Sequence, residues 1–144
     1  MRIAVIDGQG GGIGKLTVET MRRELPADVE ILALGTNAIA TSLMLKAGAD
    51  EGATGENAIV VNAGKVDIIA GVIGIIAAGA MLGELTPRMA RAIAESPAVK
   101  LLIPLNRCNI EVVGVDGETP ITTLVGELAA ELKEKLNLRD DSDG

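Results

Sequence analysis

The sequence contains no phenylalanine, tyrosine, tryptophan or histidine. The hydrophobic core must therefore be built from isoleucine, leucine, valine, alanine and methionine. Without aromatic rings there is no platform on which a nucleic-acid base can stack, which excludes the usual single-strand binding modules. Without histidine, the commonest general base and metal ligand is missing. We therefore expect neither a zinc site nor haem, and no metal site is predicted.

Cysteine and excess basic charge are also scarce. Cys108 is the single cysteine, so no disulfide bond forms within the chain, which is typical of a reducing compartment. The chain enters a strand-like pattern directly after Met1, without the apolar segment of a signal peptide. Together these features predict a cytoplasmic protein. The net charge of −7 argues against binding to nucleic acid, because phosphate repels an acidic surface.

One uncharged stretch, Ile68–Gly83, raises the question of a membrane span. It is shorter than the roughly 20 apolar residues that a spanning helix needs, and it contains four glycines. We therefore expect no membrane insertion, and predict a buried strand followed by a buried loop or helix. An alternative is that this stretch supplies the interface of a homo-oligomeric scaffold protein that binds no ligand.

Hydrophobic periodicity predicts alternating strands and helices, which indicates βαβ units and parallel strands. Strands are predicted at residues 2–6, 29–34, 66–70, 99–105 and 110–115, and helices at 13–24, 38–47, 87–95 and 120–136. Residues 50–55 are predicted as a loop. Residues 57–63 allow a strand or a helix, and a helix is preferred because the next strand needs a crossover before it.

The predicted strand Ile110–Val115 follows its neighbour after only a short turn, too short for a parallel crossover. We therefore expect it to pair antiparallel at the edge of the sheet. The sequence predicts one three-layer, Rossmann-like α/β domain over residues 1–138, with a mostly parallel sheet of about five strands. An acidic tail, residues 139–144, is predicted to be disordered.

The most informative stretch of the chain is Asp7–Lys15, which follows the first predicted strand. Five of the seven residues from Gly8 to Gly14 are glycines. Glycine is favoured where the backbone needs a positive φ or where another group comes too close for a Cβ atom. A strand, a glycine-rich loop and a helix N-terminus together form the usual geometry for holding a phosphate. The stretch therefore predicts a site for a small phosphorylated ligand.

Three known motifs compete for this loop. The GxGxxG fingerprint fits badly, whereas the GxxxGxG spacing of short-chain dehydrogenases fits Gly8, Gly12 and Gly14. The GGxGK loop of ParA/MinD-like ATPases also fits, but Leu16 occupies the place of the hydroxyl that binds magnesium. The chain has no tyrosine, which excludes the reductase activity of the short-chain family. NAD or NADP stays possible as a ligand.

Other predicted ligand contacts come from the ends of neighbouring strands. A Rossmann site has a carboxylate about 20 residues after the glycines, which holds the ribose. Here Thr36 and Asn37 follow the second strand instead, and both side chains can bond a ribose. Gly71 ends the third predicted strand and would let a ligand approach its backbone. The predicted binding residues are Gly8, Gln9, Gly10, Gly11, Gly12, Ile13, Gly14, Thr36, Asn37 and Gly71.

A catalytic role is a second hypothesis, in which the chain is a minimal Rossmann-type enzyme. Asp7 lies at the carboxyl end of the first strand, Lys15 lies in the first turn of the helix, and Cys108 follows the fourth strand. These residue types supply a metal or ligand contact, a phosphate contact and a nucleophile, respectively. Each also has a structural explanation: a hydrogen bond that closes the loop, a solvated charge, and a small turn residue.

The segments IAVIDGQGGGIGK, ALGTNAIATS, EGATGENAIVVNA and LIPLNRCN together resemble a family of short bacterial proteins known as a domain of unknown function. The resemblance spans most of the chain. It implies a Rossmann-like fold, and it implies nothing about a reaction.

Overall fold

A computed structural model of the chain describes residues 1–105 and 109–143. The described residues form one α/β domain, in which a single β-sheet has helices on both faces. The strands are β1 (Arg2–Asp7), β2 (Glu30–Gly35), β3 (Glu51–Thr54), β4 (Ile68–Val72) and β5 (Val99–Ile103). The helices are α1 (Gly12–Glu24), α2 (Ala38–Ala47), α3 (Glu56–Asn62), α4 (Pro87–Glu95) and α5 (Ile121–Asp143), with a 3-10 turn at Ile73–Ile76.

The strand order in the described sheet is β3-β2-β1-β4-β5, and every pairing in it is parallel. From β1 the chain moves outwards to β2 and β3, and then crosses back to β4 on the other side of β1. The order therefore reverses between β1 and β4. In open α/β sheets, the crevice at the carboxyl ends of two such strands is where ligands bind.

Each face of the sheet has its own apolar core, which confirms three layers. Ile3, Val5 and Ile31 face one core, together with residues of α1, α2 and α5. Alternate strand residues, among them Ile6 and Leu34, face the other core, with α3, α4 and the 3-10 turn. Isoleucine, leucine, valine, alanine and methionine supply the buried apolar side chains, as the missing aromatics require.

The prediction of an antiparallel edge strand at Ile110–Val115 is wrong. In the structure this segment is irregular, with a turn closed by the Val115 N–H donating to the Val112 oxygen at 3.2 Å. Gly114 has a φ of 93° and Val113 is 99% exposed, so the apolar residues do not line one face of a strand. β5 is therefore the edge strand beside β4 in the described sheet.

The described sheet still has five strands, because β3 forms in the segment that the sequence predicts as a loop. β3 has only four residues, Glu51–Thr54, and pairs with β2 from Leu32 to Gly35. The preferred helix at residues 57–63 is confirmed, because α3 covers Glu56–Asn62 and carries the chain across to β4. α5 continues to Asp143, and the disordered tail at residues 139–144 stays a prediction.

Candidate ligand-binding site at the glycine loop

A cavity of about 450 Å³ lies beside the glycine loop, where the strand order reverses. Its size is within the range of small-molecule sites. Most of the lining is aliphatic or backbone. The described lining consists of Asp7, Gly8, Gln9, Gly10, Gly11, Gly12, Ile13, Leu16, Val72, Gly74, Ala80, Met81, Leu82, Leu105 and Ile121.

Asp7 holds the loop to the start of α1. Its side chain is 6% exposed, and Oδ2 accepts a hydrogen bond from the Gly14 N–H at 2.6 Å. Because Gly14 lies in the first turn of α1, the carboxylate satisfies one of the free amides there and complements the helix dipole. A second bond, from the Gly11 N–H to the Gly8 oxygen at 3.0 Å, closes the turn. The hydrogen bond to Gly14 agrees with the structural explanation of Asp7.

Three of the loop glycines are required by the protein itself. Gly11 has a φ of 75°, a conformation that favours glycine. A Cβ atom at Gly14 would lie 2.7 Å from the Asp7 Cβ atom, and a Cβ atom at Gly8 would lie 2.2 Å from the Thr36 hydroxyl. A side chain at any of these three positions would strain the backbone or displace a packed neighbour.

Gly10 and Gly12 differ from the other three. A Cβ atom at either position would meet no heavy atom within 4 Å. Neither residue has a positive φ, and both line the cavity. Among the described residues, the backbone N–H groups of Gly10, Gly12 and Ile13 have no protein acceptor. The open side of the loop therefore offers free hydrogen-bond donors beside the N-terminus of α1.

Glu84 is the main residue of the site that the sequence analysis missed. Its Oε1 atom accepts from the Gln9 N–H at 2.9 Å, the Thr36 hydroxyl at 2.7 Å and the Asn37 side-chain amide at 2.7 Å. The Gln9 amide first, and then Thr36 and Asn37, hold the pKa of Glu84 below its ordinary value. The carboxylate is therefore charged at neutral pH. The only sequence signal for it is that Glu84 ends the uncharged stretch.

Thr36 and Asn37 lie at the end of β2, as predicted, but they contact Glu84 and do not line the cavity. Asn37 also caps α2, since its Oδ1 atom accepts from the Ala40 N–H at 2.9 Å. The side-chain amide of Asn37 also donates to the backbone oxygen of Gln9, at 2.9 Å. The two residues are therefore fixed to the glycine loop on the β2 side.

The segment that carries Glu84 lies across the loop. Met81 and Leu82 both have a positive φ, of 58° and 56°, which is unusual for residues other than glycine. Both line the cavity, and the Leu82 side chain is 96% exposed. The Met81 sulfur lies 2.7 Å from the position that a Cβ atom at Gly8 would take. We call residues 79–84 the covering segment.

Lys15 and Gly71, which the sequence also predicts in the site, do not line the cavity. Lys15 is exposed, and its Nζ atom lies 3.9 Å from a Glu19 carboxylate oxygen. Gly71 is buried in β4, where a Cβ atom would lie 2.9 Å from the Ile6 oxygen, so strand packing explains this glycine. Cys108 lies outside the described residues, and its catalytic role stays a prediction.

In the described part of the chain, no three or more acidic, cysteine or histidine side chains lie together so that they could hold a metal ion. Within residues 1–105 and 109–143, no helix is long and apolar enough to cross a membrane.

Comparison with curated proteins gave no significant match, and comparison with solved structures gave none either. A family model described as "Domain of unknown function (DUF3842)" matches residues 2–137, which include the glycine loop, Glu84 and all five strands. The chain therefore belongs to the DUF3842 family.

Proposed function

We propose that this protein binds a nucleotide or a dinucleotide, with a phosphate of the ligand at the glycine loop between β1 and α1. The strand order β3-β2-β1-β4-β5 supports the proposal, because it matches the core of Rossmann folds, which bind dinucleotides where the order reverses. The cavity lies at that reversal, beside the loop.

The observation that carries the proposal is the pair Gly10 and Gly12. The fold of the protein explains the other three loop glycines, but neither packing nor backbone conformation requires glycine at these two positions. Both face the cavity, so a side chain there would fill space that a ligand needs. Close approach of a ligand to the backbone is the usual reason for such glycines in phosphate-binding loops.

The hydrogen bonds available on the loop suit a phosphate. The N–H groups of Gly10, Gly12 and Ile13 are donors without protein acceptors among the described residues, and they lie at the positive end of the α1 dipole. The described lining contains no lysine or arginine, and the Asp7 carboxylate is close by. This charge balance favours a pyrophosphate linkage, with one charge on each phosphate, over a terminal phosphate.

The rest of the cavity suits an apolar or flat group. Aliphatic residues from α1, β4, the chain after β5 and the start of α5 line the cavity: Ile13, Leu16, Val72, Leu105 and Ile121. A nucleotide base or a nicotinamide ring would be desolvated there without aromatic stacking. NAD and NADP are therefore the ligands that we propose to test first.

A binding role is proposed ahead of a catalytic one. Asp7 is the one titratable side chain among the described lining residues, and its carboxylate already bonds to the Gly14 amide. Lys15 lies near Glu19 at the surface. The protein would then act as a sensor or as an accessory subunit that holds a nucleotide.

The proposal is tested by adding NAD, NADP, ATP, GTP, FMN and FAD separately to the purified protein. Because the chain has no tryptophan or tyrosine, unfolding is followed by circular dichroism, and any nucleotide that copurifies dominates the absorbance near 260 nm. A ligand at one hundred times its dissociation constant adds about 2.7 kcal/mol. For a chain of this size, the melting temperature then rises by roughly 5–10 °C.

The proposed nucleotide binding is contradicted if none of the six compounds shifts the melting temperature and the purified protein shows no absorbance at 260 or 340 nm.

A further inference from the structure

We propose that Gln9, Thr36 and Asn37 form a second anion-binding subsite, which Glu84 fills as an internal ligand and from which a phosphate group displaces it. The proposed function supplies the identity of the displacing group, whereas the subsite itself rests on the contacts of Glu84. The ligand class is a phosphate or a phosphate ester that reaches the end of β2.

The three donors converge on a single point. The Gln9 N–H, the Thr36 hydroxyl and the Asn37 amide all donate to the same oxygen, Glu84 Oε1, at 2.7–2.9 Å. A single carboxylate oxygen with three donors, one of them a backbone amide, has the environment of a bound anion. A phosphate oxygen placed at the Oε1 position would receive the same three hydrogen bonds.

These donors are held in place by contacts that do not involve Glu84. The Thr36 N–H donates to the backbone oxygen of Asp7 at 2.9 Å, which continues the pairing of β1 with β2. Both ends of the Asn37 side-chain amide are fixed. Its Oδ1 atom accepts from the Ala40 N–H, and its NH₂ group also donates to the backbone oxygen of Gln9. The subsite therefore keeps its shape when the carboxylate leaves, which favours an anion that replaces it.

The covering segment holds Glu84 in place at a cost to its own backbone. Met81 and Leu82 are consecutive residues in the left-handed region, where a side chain is strained. Leu82 is 96% exposed, so burial of its side chain does not compensate for this conformation. Backbone hydrogen bonds hold this turn, from the Gly83 N–H to the Gly79 oxygen and from the Glu84 N–H to the Met81 oxygen, both at 3.1 Å. The turn places the Glu84 side chain against the three donors without depending on them.

The motion that this exchange needs is short. Ala80 is 5% exposed and Leu85 is fully buried, so both remain anchored in the core beneath α4. Gly83, between Leu82 and Glu84, has a φ of 92°, and its N–H donates to the Gly79 oxygen at 3.1 Å and the Ala80 oxygen at 3.2 Å. The backbone turn therefore stays closed, and the exchange needs only the Glu84 side chain to swing away.

The test is a titration with sodium pyrophosphate, followed by the backbone amide signal of Gln9 in ¹⁵N NMR spectra. Glu84→Gln removes the internal charge but keeps an oxygen that can accept. We expect this variant to bind pyrophosphate at least 10-fold more tightly than the wild type, with a shift of the Gln9 amide. Glu84→Asp keeps the charge on a shorter side chain, and we expect a smaller gain.

Two controls separate the subsite from general electrostatics. Glu19→Gln removes one negative charge from the exposed face of α1 without touching the donors, and should change the affinity less than twofold. Adding Thr36→Val to Glu84→Gln removes one donor and should cancel most of the gain. Circular dichroism spectra establish that each variant is folded.

The inference is overturned if Glu84→Gln binds pyrophosphate no more tightly than the wild type and Glu19→Gln do. It is also overturned if neither the wild type nor Glu84→Gln binds pyrophosphate. A gain without a shift of the Gln9 amide overturns it as well. The proposed function fails separately, when the six nucleotides bind to neither the wild type nor Glu84→Gln although the Gln9 amide responds to pyrophosphate.

Discussion

The guanidinium group of Arg22 joins three parts of the fold. From α1, it donates to the Gly48 oxygen at 2.6 Å and to the Val29 oxygen at 2.8 Å, and it forms an ion pair with Asp50. The Asp50 carboxylate also accepts from the Ile31 N–H at 2.8 Å, and this amide first, then Arg22, lowers the pKa of Asp50. One side chain thus connects α1, the end of α2 and the entry into β2.

Replacing Arg22 by lysine should destabilise the protein although the charge is kept. A single ammonium group does not reproduce the forked donors of arginine, so at least one of these partly buried carbonyls loses its partner. We expect a loss of about 2 kcal/mol in the free energy of unfolding, which urea denaturation measures by circular dichroism. Arg23→Lys is the matched control, because Arg23 is largely exposed and pairs with its neighbour Glu24.

An unchanged free energy of unfolding in Arg22→Lys would show that the contacts of Arg22 do not stabilise this junction.

Among the elements, α4 shows how a local sequence signal and a distant contact combine. The Thr86 hydroxyl accepts from the Met89 N–H at 3.2 Å, which caps the helix, and donates to a carboxylate oxygen of Glu56 at 2.8 Å. Glu56 begins α3 on the same face of the sheet. Thr86 also follows the covering segment, so it fixes the point at which that segment ends.

Thr86→Ala should therefore lower the free energy of unfolding by about 1 kcal/mol, the usual value for a lost N-cap. Thr86→Ser keeps the hydroxyl and should retain most of the stability. Both are measured by urea denaturation at neutral pH. Equal losses in the alanine and serine variants would mean that the methyl group, and not the cap, stabilises this position.

The elements that follow from local pattern were predicted well. The pairs Thr86-Pro87 and Thr119-Pro120 have the residue types that start a helix, and with the apolar periodicity they predict α4 and α5. β1, β2, β4 and β5 lie within the predicted strands or a residue or two beyond them. β3 was missed because its stability is not local: a glycine at position 52 lets α2 pack closely, with the Thr41 methyl 2.9 Å from a Cβ atom placed there. Ile110–Val115 has strand-forming residues, yet Gly114 turns the chain.

Across the whole molecule, the place of the site was predictable and its details were not. Parallel strands bring their carboxyl ends to one edge, so the glycine loop and Thr36 were expected to meet there. The contact between Gln9 and Glu84 joins residues 75 positions apart, and no local pattern predicts it. In the uncharged stretch Ile68–Gly83, β4 is buried as predicted, whereas Ile76 and Leu82 in the later part are exposed. The homo-oligomer stays a prediction.

The central claim is that the open side of the loop at Gly10 and Gly12 is a ligand site. Gly12→Val places a branched side chain in the cavity, at the first residue of α1, without a clash inside the protein. Gly64→Val is the matched control, since Gly64 also has no atom within 4 Å of a Cβ atom and lies outside the cavity lining. Neither change requires the backbone to leave an allowed conformation.

The most direct measurement is isothermal titration of the wild type, Gly12→Val and Gly64→Val with whichever of NAD, NADP, ATP, GTP, FMN and FAD raises the melting temperature of the wild type. We predict that Gly12→Val loses at least 100-fold in affinity while its melting temperature without ligand stays within about 4 °C of the wild type, which corresponds to about 1 kcal/mol. Gly64→Val should bind like the wild type. Full affinity in a folded Gly12→Val protein, or no binding by the wild type, would contradict the claim.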